Sequence, residues 1–301
     1  MKFLRLVLVL FFAAAPIAAG HAAEPADGKK AKTVNELAQM YDVSACKTCH
    51  LPIFEQWEKS MHSRSLFGTK RTMGGYKGMI ETGLMKAFAK SGVKEIKDIK
   101  MEHFAQCFKC HLPHALTDGS DELAQQLAKA FVDGDAATLK KVGINCITCH
   151  NTKAIVHKWQ DGEPEKGVIY GSKDGAHPDK TYTTMKKSVI MGEAVACGQC
   201  HGTGPNLEFP QPSQCGTAYG SYLHAYIPAG GTETCQDCHM KKDGKGHQIT
   251  AHGDKDMMKR GISVDVDAAA YKFLLKAGDS IPMAVVTVAM VNKAGHRIPD
   301  G

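Results

Sequence analysis

The sequence predicts a mainly α-helical chain with long loops and a short β segment at its C-terminus. Three observations carry this expectation. Apolar residues recur at i, i+3 and i+4 in several stretches, as in Ile53, Phe54, Trp57 and Met61. Glycine is plentiful, at 30 residues, while aromatic residues make up only 7%, which points to helices joined by irregular backbone. Strict alternation is clear at Val286, Thr287, Val288, Ala289 and Met290.

In chain order, residues 1–23 open with Lys2, run apolar from Phe3 to Ala19 and end in small residues at Ala22 and Ala23, the pattern of a secretory signal peptide. No later stretch approaches the roughly 18 apolar residues of a membrane span, so none is expected after signal removal. Residues 24–32 form a polar, lysine-rich leader. Thr33 and Glu36 read as a capping box that opens a short helix toward Tyr41. Helical patterns follow near 53–66, 77–91, 120–133, 135–141 and 184–194, and the stretch 158–182, rich in Gly, Asp and Lys, reads as a loop or hairpin around Val168 to Tyr170. After about residue 262 the character changes to Val- and Met-rich sequence, with a strand from Ile281 to Asn292 and a second short strand offered by 267–276. A strand needs partners to satisfy its backbone. Residues 263–301 are therefore expected to begin a β-domain that is truncated or completed by a partner chain, following a main domain over 24–262.

The cysteines identify what that main domain is built around. Ten of eleven fall into five Cys-x-x-Cys-His units: Cys46, Cys49 and His50; Cys107, Cys110 and His111; Cys146, Cys149 and His150; Cys197, Cys200 and His201; Cys235, Cys238 and His239. Two thiols three positions apart lie on one side of a helical turn and form thioethers to two vinyl groups, while the following histidine reaches the iron as proximal ligand. Zinc sites also use paired cysteines, but they do not require a histidine directly after the second. The units imply five haem c groups. They begin 61, 39, 51 and 38 residues apart, so no fixed repeat is present. Residues 24–301 allow about 56 residues per haem, too few for five separate apolar cores. The expected fold is a multihaem cytochrome c with a haem-packed core.

Nine histidines outside the signal segment and the five units remain for the opposite iron faces, more than five distal positions require. His62 stands one turn beyond Trp57 on an apolar helical stripe. His114 and His157 follow proximal histidines closely and suit a neighbouring haem. His224 lies among Tyr222, Leu223 and Tyr226, and His247, His252 and His296 each stand beside a glycine that permits close approach. These seven are the distal candidates; His103 and His177 are set aside first. Full bis-histidine ligation lowers potentials relative to His/Met pairs. The odd cysteine, Cys215, is either a structural thiol or a nucleophile near a haem.

The formal charge of +6 loses two with Lys2 and Arg5, and each oxidised haem adds two propionates against one positive charge on the ferric porphyrin. The loaded protein is close to neutral, so its lysines and arginines are expected to partner propionates, with no nucleic-acid partner.

The segment from Cys46 through Ile53, Phe54, Trp57, Ser60 and His62 resembles the multihaem cytochromes related to the nitrifier tetrahaem cytochrome and hydroxylamine oxidoreductase. That resemblance implies a distal role for His62, and Gly295, His296 and Pro299 resemble the start of a C-terminal β-domain whose histidine faces a haem. The wider arrangement is similar to exported pentahaem cytochromes of metal-reducing bacteria, which act in surface electron conduits or as selenite reductases. Every unit ends in histidine, so the lysine-ligated haem of pentahaem nitrite reductases is absent, and nothing identifies the tyrosine cross-link of hydroxylamine oxidation. The expectation is electron transfer in the periplasm or at the cell surface, with other cytochromes or an outer-membrane conduit as partners. The alternative is an oxidoreductase for a small oxyanion of the selenite or nitrite type, acting at one open haem with Cys215 as the candidate catalytic residue.

Overall fold

The computed structural model describes residues 28–298, apart from 203–204, 207–212, 215, 243, 252 and 275–277. The predicted signal segment, Cys215 and His252 lie outside the described residues.

The first half is helical, as its apolar periodicity demands. The Thr33 hydroxyl accepts from the Glu36 amide at 3.2 Å, and the Glu36 carboxylate accepts from the Thr33 amide at 3.1 Å. This reciprocal cap opens the helix Val34–Met40. The longest helix among the described residues, Asp121–Asp133, starts at a Ser120 side-chain cap and carries Asp121 and Glu122 in its first turn, where they meet the positive end of the helix dipole. It stops at Gly134, whose φ of 71° is a left-handed conformation that glycine adopts without strain.

One face of that helix buries Leu123, Leu127 and Phe131. Phe131 stacks on Tyr76 at 4.1 Å between ring centroids, and Phe104 stacks on Phe108 at 4.6 Å. Leu37, Leu66, Ile80, Ile99 and Leu112 close the cluster. Each such side chain contributes about 1.5–3 kcal/mol by leaving water, so residues 31–142 hold a conventional apolar core.

The second half does not. Between Ala194 and Ile298, the buried side chains among the described residues are Ala194, Gln236 and Thr250. A stretch of that length with no large buried apolar residue cannot offset its own ordering entropy by hydrophobic burial alone.

A small sheet joins the halves: β1 (Val168–Gly171), β2 (Gly175–Ala176) and β3 (Thr184–Lys187) lie in the order β1-β3-β2, with β1 parallel and β2 antiparallel to β3. This corrects the helix expected over 184–194. The backbone of 184–187 pairs with β1, from Val168 against Thr184 to Gly171 against Lys187. A 3-10 turn, Val189–Gly192, follows before the helix Ala194–His201 begins. The apolar period was present, but sheet pairing took the hydrogen bonds.

A two-residue pair, β4 (Pro205–Asn206) with β5 (Ser213–Gln214), precedes the C-terminal ribbon. There β6 (Ile262–Leu274) pairs antiparallel with β7 (Ser280–Asn292) over thirteen residue pairs, Ile262 opposite Asn292 and Leu274 opposite Ser280. β7 coincides with the strand expected from Ile281 to Asn292 to within one residue, and β6 begins earlier than the second strand offered by 267–276. Its base is tied to the helix Lys255–Gly261 by the Lys293 amide, which donates to the Gly261 carbonyl at 2.8 Å. No helix among the described residues is long and apolar enough to cross a membrane.

Candidate metal centres

Each Cys-x-x-Cys-His unit lies on a short helical segment. The first occupies the helix Cys46–Cys49 and its cap His50, the second ends the helix Ala105–His111, and the fourth ends Ala194–His201. The third and fifth run into π-helical turns, Thr148–Thr152 and Asp237–Lys241, a wider winding often found at functional sites. All ten of these cysteines are free thiols. Gly198, inside the fourth unit, is required by packing, because a Cβ there would stand 2.5 Å from the Tyr219 ring.

Four of the five proximal imidazoles face a second imidazole across a gap. His50 faces His177 at 6.4 Å between ring centroids, His150 faces His247 at 6.3 Å, His201 faces His62 at 6.1 Å, and His239 faces His296 at 6.1 Å. Rings in van der Waals contact would lie closer. Two trans metal–nitrogen bonds of roughly 2.0–2.1 Å, with roughly 1 Å from each nitrogen to its ring centre, place two imidazole centroids roughly 6 Å apart. The gaps are those of an ion held between two histidines.

The outer nitrogens support this. His150 Nδ1–H donates to the Tyr170 carbonyl at 2.8 Å, His239 to Thr250 at 2.7 Å, His177 to Tyr182 at 2.7 Å and His296 to Arg297 at 2.8 Å. Such bonds fix the tautomer, orient the ring and leave Nε2 as the ligand atom. His62 Nδ1 is buried with no hydrogen-bond partner. Loss of hydration, then the nearby His201 and His111, push its pKa down to about 4, and burial, then His150 and His50, lower that of His247. Both are held neutral, the form that binds metal.

Of the seven distal histidines read from the sequence, the structure therefore brings His62, His247 and His296 opposite proximal ones. His114 is buried elsewhere: its ring lies flat on Tyr41 at 3.7 Å, and Nε2 is engaged by the Thr152 hydroxyl at 2.9 Å. His157 is exposed, edge-on to Trp159 at 6.3 Å, and His224 is also exposed. Neither is paired across a gap with a proximal ring. His177 is the residue that sequence reasoning set aside. Its amide donates to the Thr183 carbonyl at 2.8 Å, so the turn between β2 and β3 carries it to His50. No local signal marks that role. His103 accepts the Lys100 amide at Nδ1 and donates from Nε2 to the Ser91 carbonyl, which leaves no free nitrogen.

His111 differs from the other four. Its Nδ1–H donates to the Ser65 carbonyl at 2.8 Å, but among the described residues no imidazole faces it across a ligand-sized gap. The Tyr76 ring lies edge-on to it at 5.9 Å.

The residues fit haem c: thiol pairs beside a histidine, imidazoles spaced for an ion between them, and a stretch from Ala194 to Ile298 with no large buried apolar side chain among the described residues. No three His, Cys, Asp or Glu side chains among the described residues converge as a tetrahedral zinc site requires. No curated protein and no solved structure matches the chain. Residues 45–151, which span the first three units, match the family model for cytochrome c554 and c-prime. That match supports a c-type cytochrome family for this chain, and with it covalent haem c, its iron, and electron transfer.

Proposed function

We propose that the protein is an exported pentahaem cytochrome that relays electrons in the periplasm or at the cell surface. The observation that carries this is the set of four imidazole pairs at 6.1–6.4 Å, one for each of four Cys-x-x-Cys-His units. Haem supplies one-electron chemistry when bound. At four sites the chain would hold the ring by two thioethers with one imidazole on either side of it. His50 with His177, His201 with His62, His150 with His247 and His239 with His296 would serve four haems, and the fifth would hang from Cys107, Cys110 and His111. With an imidazole on both sides these four irons would have no place for a substrate, so the four sites suit outer-sphere transfer. The signal-peptide pattern at residues 1–23 supports export.

The partners follow from this reading: small redox proteins or an outer-membrane conduit, and a partner strand that adds to the open edges of β6 and β7. The pyridine haemochrome of the purified protein tests the count: five haems per chain is the expected result, and fewer than five would overturn it.

A second reading, reduction of a small oxyanion, is favoured by one observation, the lack of a facing imidazole at His111 among the described residues. Ferric EPR separates the two readings. One high-spin haem in five supports an open site at His111, while five low-spin haems support a relay alone.

A further inference from the structure

The attachment units touch one another, and the contacts are unequal. Cys46 and Cys146, Cys110 and Cys200, and Cys197 and Cys235 are neighbours across different units. Residues between the cysteines and next to them repeat this pattern. Gln199, inside the fourth unit, donates to the Lys153 carbonyl at 2.6 Å, just past the third unit. Gln236, inside the fifth, donates to the Met191 and Glu193 carbonyls at 3.2 and 2.8 Å, in the turn that opens the fourth. Asn145, which leads into the third, donates to the Tyr41 carbonyl at 3.1 Å, near the first. The helices Ala105–His111 and Ala194–His201 pack together, and His62 has both His201 and His111 in its electrostatic surroundings.

Through these contacts the unit of Cys197, Cys200 and His201 meets three others. Among these contacts, the unit of Cys46 meets that of Cys146, and the unit of Cys235 meets that of Cys197. The cysteine sulfurs would mark the porphyrin edge once haem is attached, so neighbouring units would bring ring edges near one another.

We propose that the haem held by Cys197, Cys200 and His201 is a three-way junction in a branched network. One arm runs through the His150 site to the His50 site. A second is a one-haem spur at His111. The third is the His239 site, whose facing ligand His296 lies just past β7 at the base of the C-terminal ribbon. A single file joins two ends; a junction joins three, so electrons that enter at the His50 end can be divided between the His111 site and a partner docked beside the ribbon. The fifth unit creates the branch, and it lies outside the region matched by the family model. The meaning of the junction rests on the relay proposed above, but its layout does not.

Anomalous diffraction at the iron edge, from crystals of the haem-loaded protein, tests the layout. Five iron positions are expected, with three porphyrins in edge contact with the His201 haem and one each for the His50 and His239 haems. A single file of five, or fewer than three neighbours at the His201 haem, would overturn it. A branched map in a protein that passes no electrons to any redox protein would end the relay reading and leave the junction standing. A single-file map with rapid transfer would do the reverse.

Discussion

The imidazoles of His239 and His296 lie 6.1 Å apart and within 16° of parallel, though one belongs to the fifth attachment unit and the other follows the exposed β6–β7 ribbon. The Arg297 amide donates to the Ser221 hydroxyl at 3.2 Å, and the Asn292 side chain to the His296 carbonyl at 2.9 Å. Replacing His296 by Ala is expected to open one haem, converting one low-spin ferric signal to high-spin, and to free the base of the ribbon. EPR and limited proteolysis read the two effects on one sample, with faster cleavage between residues 262 and 292. A variant that stays fully low-spin would show that His296 is not a ligand.

His177 and His157 allow a direct contrast. His177 faces His50, whereas His157 is exposed beside Trp159. His177→Ala is expected to give one high-spin haem and His157→Ala none, with magnetic circular dichroism as the readout. The opposite result would favour the sequence-based choice over the geometric one.

Local features were legible without the fold. The cap at Thr33 and Glu36 is a four-residue signal, and the helix Asp121–Asp133 is written in its apolar spacing and in Ser120 and Gly134 at its ends. The attachment units are legible for the same reason, since thiols and proximal histidine share one helical turn. Facing histidines are different. His177 sits in a polar stretch whose local pattern says only loop, and its partner His50 lies far earlier in the chain. The pairing exists because β3 lies between β1 and β2 and turns that loop back. The misread helix at 184–194 has the same origin, because the backbone partner of Thr184 is Val168 and no window around Thr184 contains it.

His114 makes stability depend on pH. Burial pushes its pKa down to about 3 from an ordinary value near 6.5, because a charged ring stacked on Tyr41 would lose its hydration. The unfolded chain therefore takes up this proton first as pH falls. Its contribution is complete above pH 6.5 and is lost progressively between about 6.5 and 3, by at most roughly 4–5 kcal/mol at about 1.4 kcal/mol per pH unit. Urea midpoints measured from pH 7 to pH 4 should fall more steeply for the native protein than for His114→Gln, which has no proton to gain. Equal slopes would locate the acid sensitivity elsewhere.

Phe131 tests the apolar core of the first half. It is 1% exposed and stacks on Tyr76, so Phe131→Ala is expected to remove about 3–5 kcal/mol of stability. Thermal unfolding followed by far-UV dichroism would register this. The haem count should stay unchanged, because no attachment cysteine is altered.

The β6–β7 ribbon leads to the last expectation. Register places Val264 opposite Met290 and Val266 opposite Val288, and all four are exposed, at 54%, 72%, 65% and 54%. Because side chains alternate along a strand, these two pairs project from one face, with Ala268 and Val286 continuing the same row. A row of that kind left in water, on a ribbon with two open edges, attracts another strand or sheet. A lysine in the row adds a charge that an apolar partner would have to desolvate. Val266→Lys combined with Val288→Lys should therefore abolish association through this face without touching a haem site. Native mass spectrometry of the loaded protein, with and without a candidate redox partner, would show the loss as a shift to lower assembly mass. Association unchanged in the double variant would place the docking surface elsewhere on the molecule.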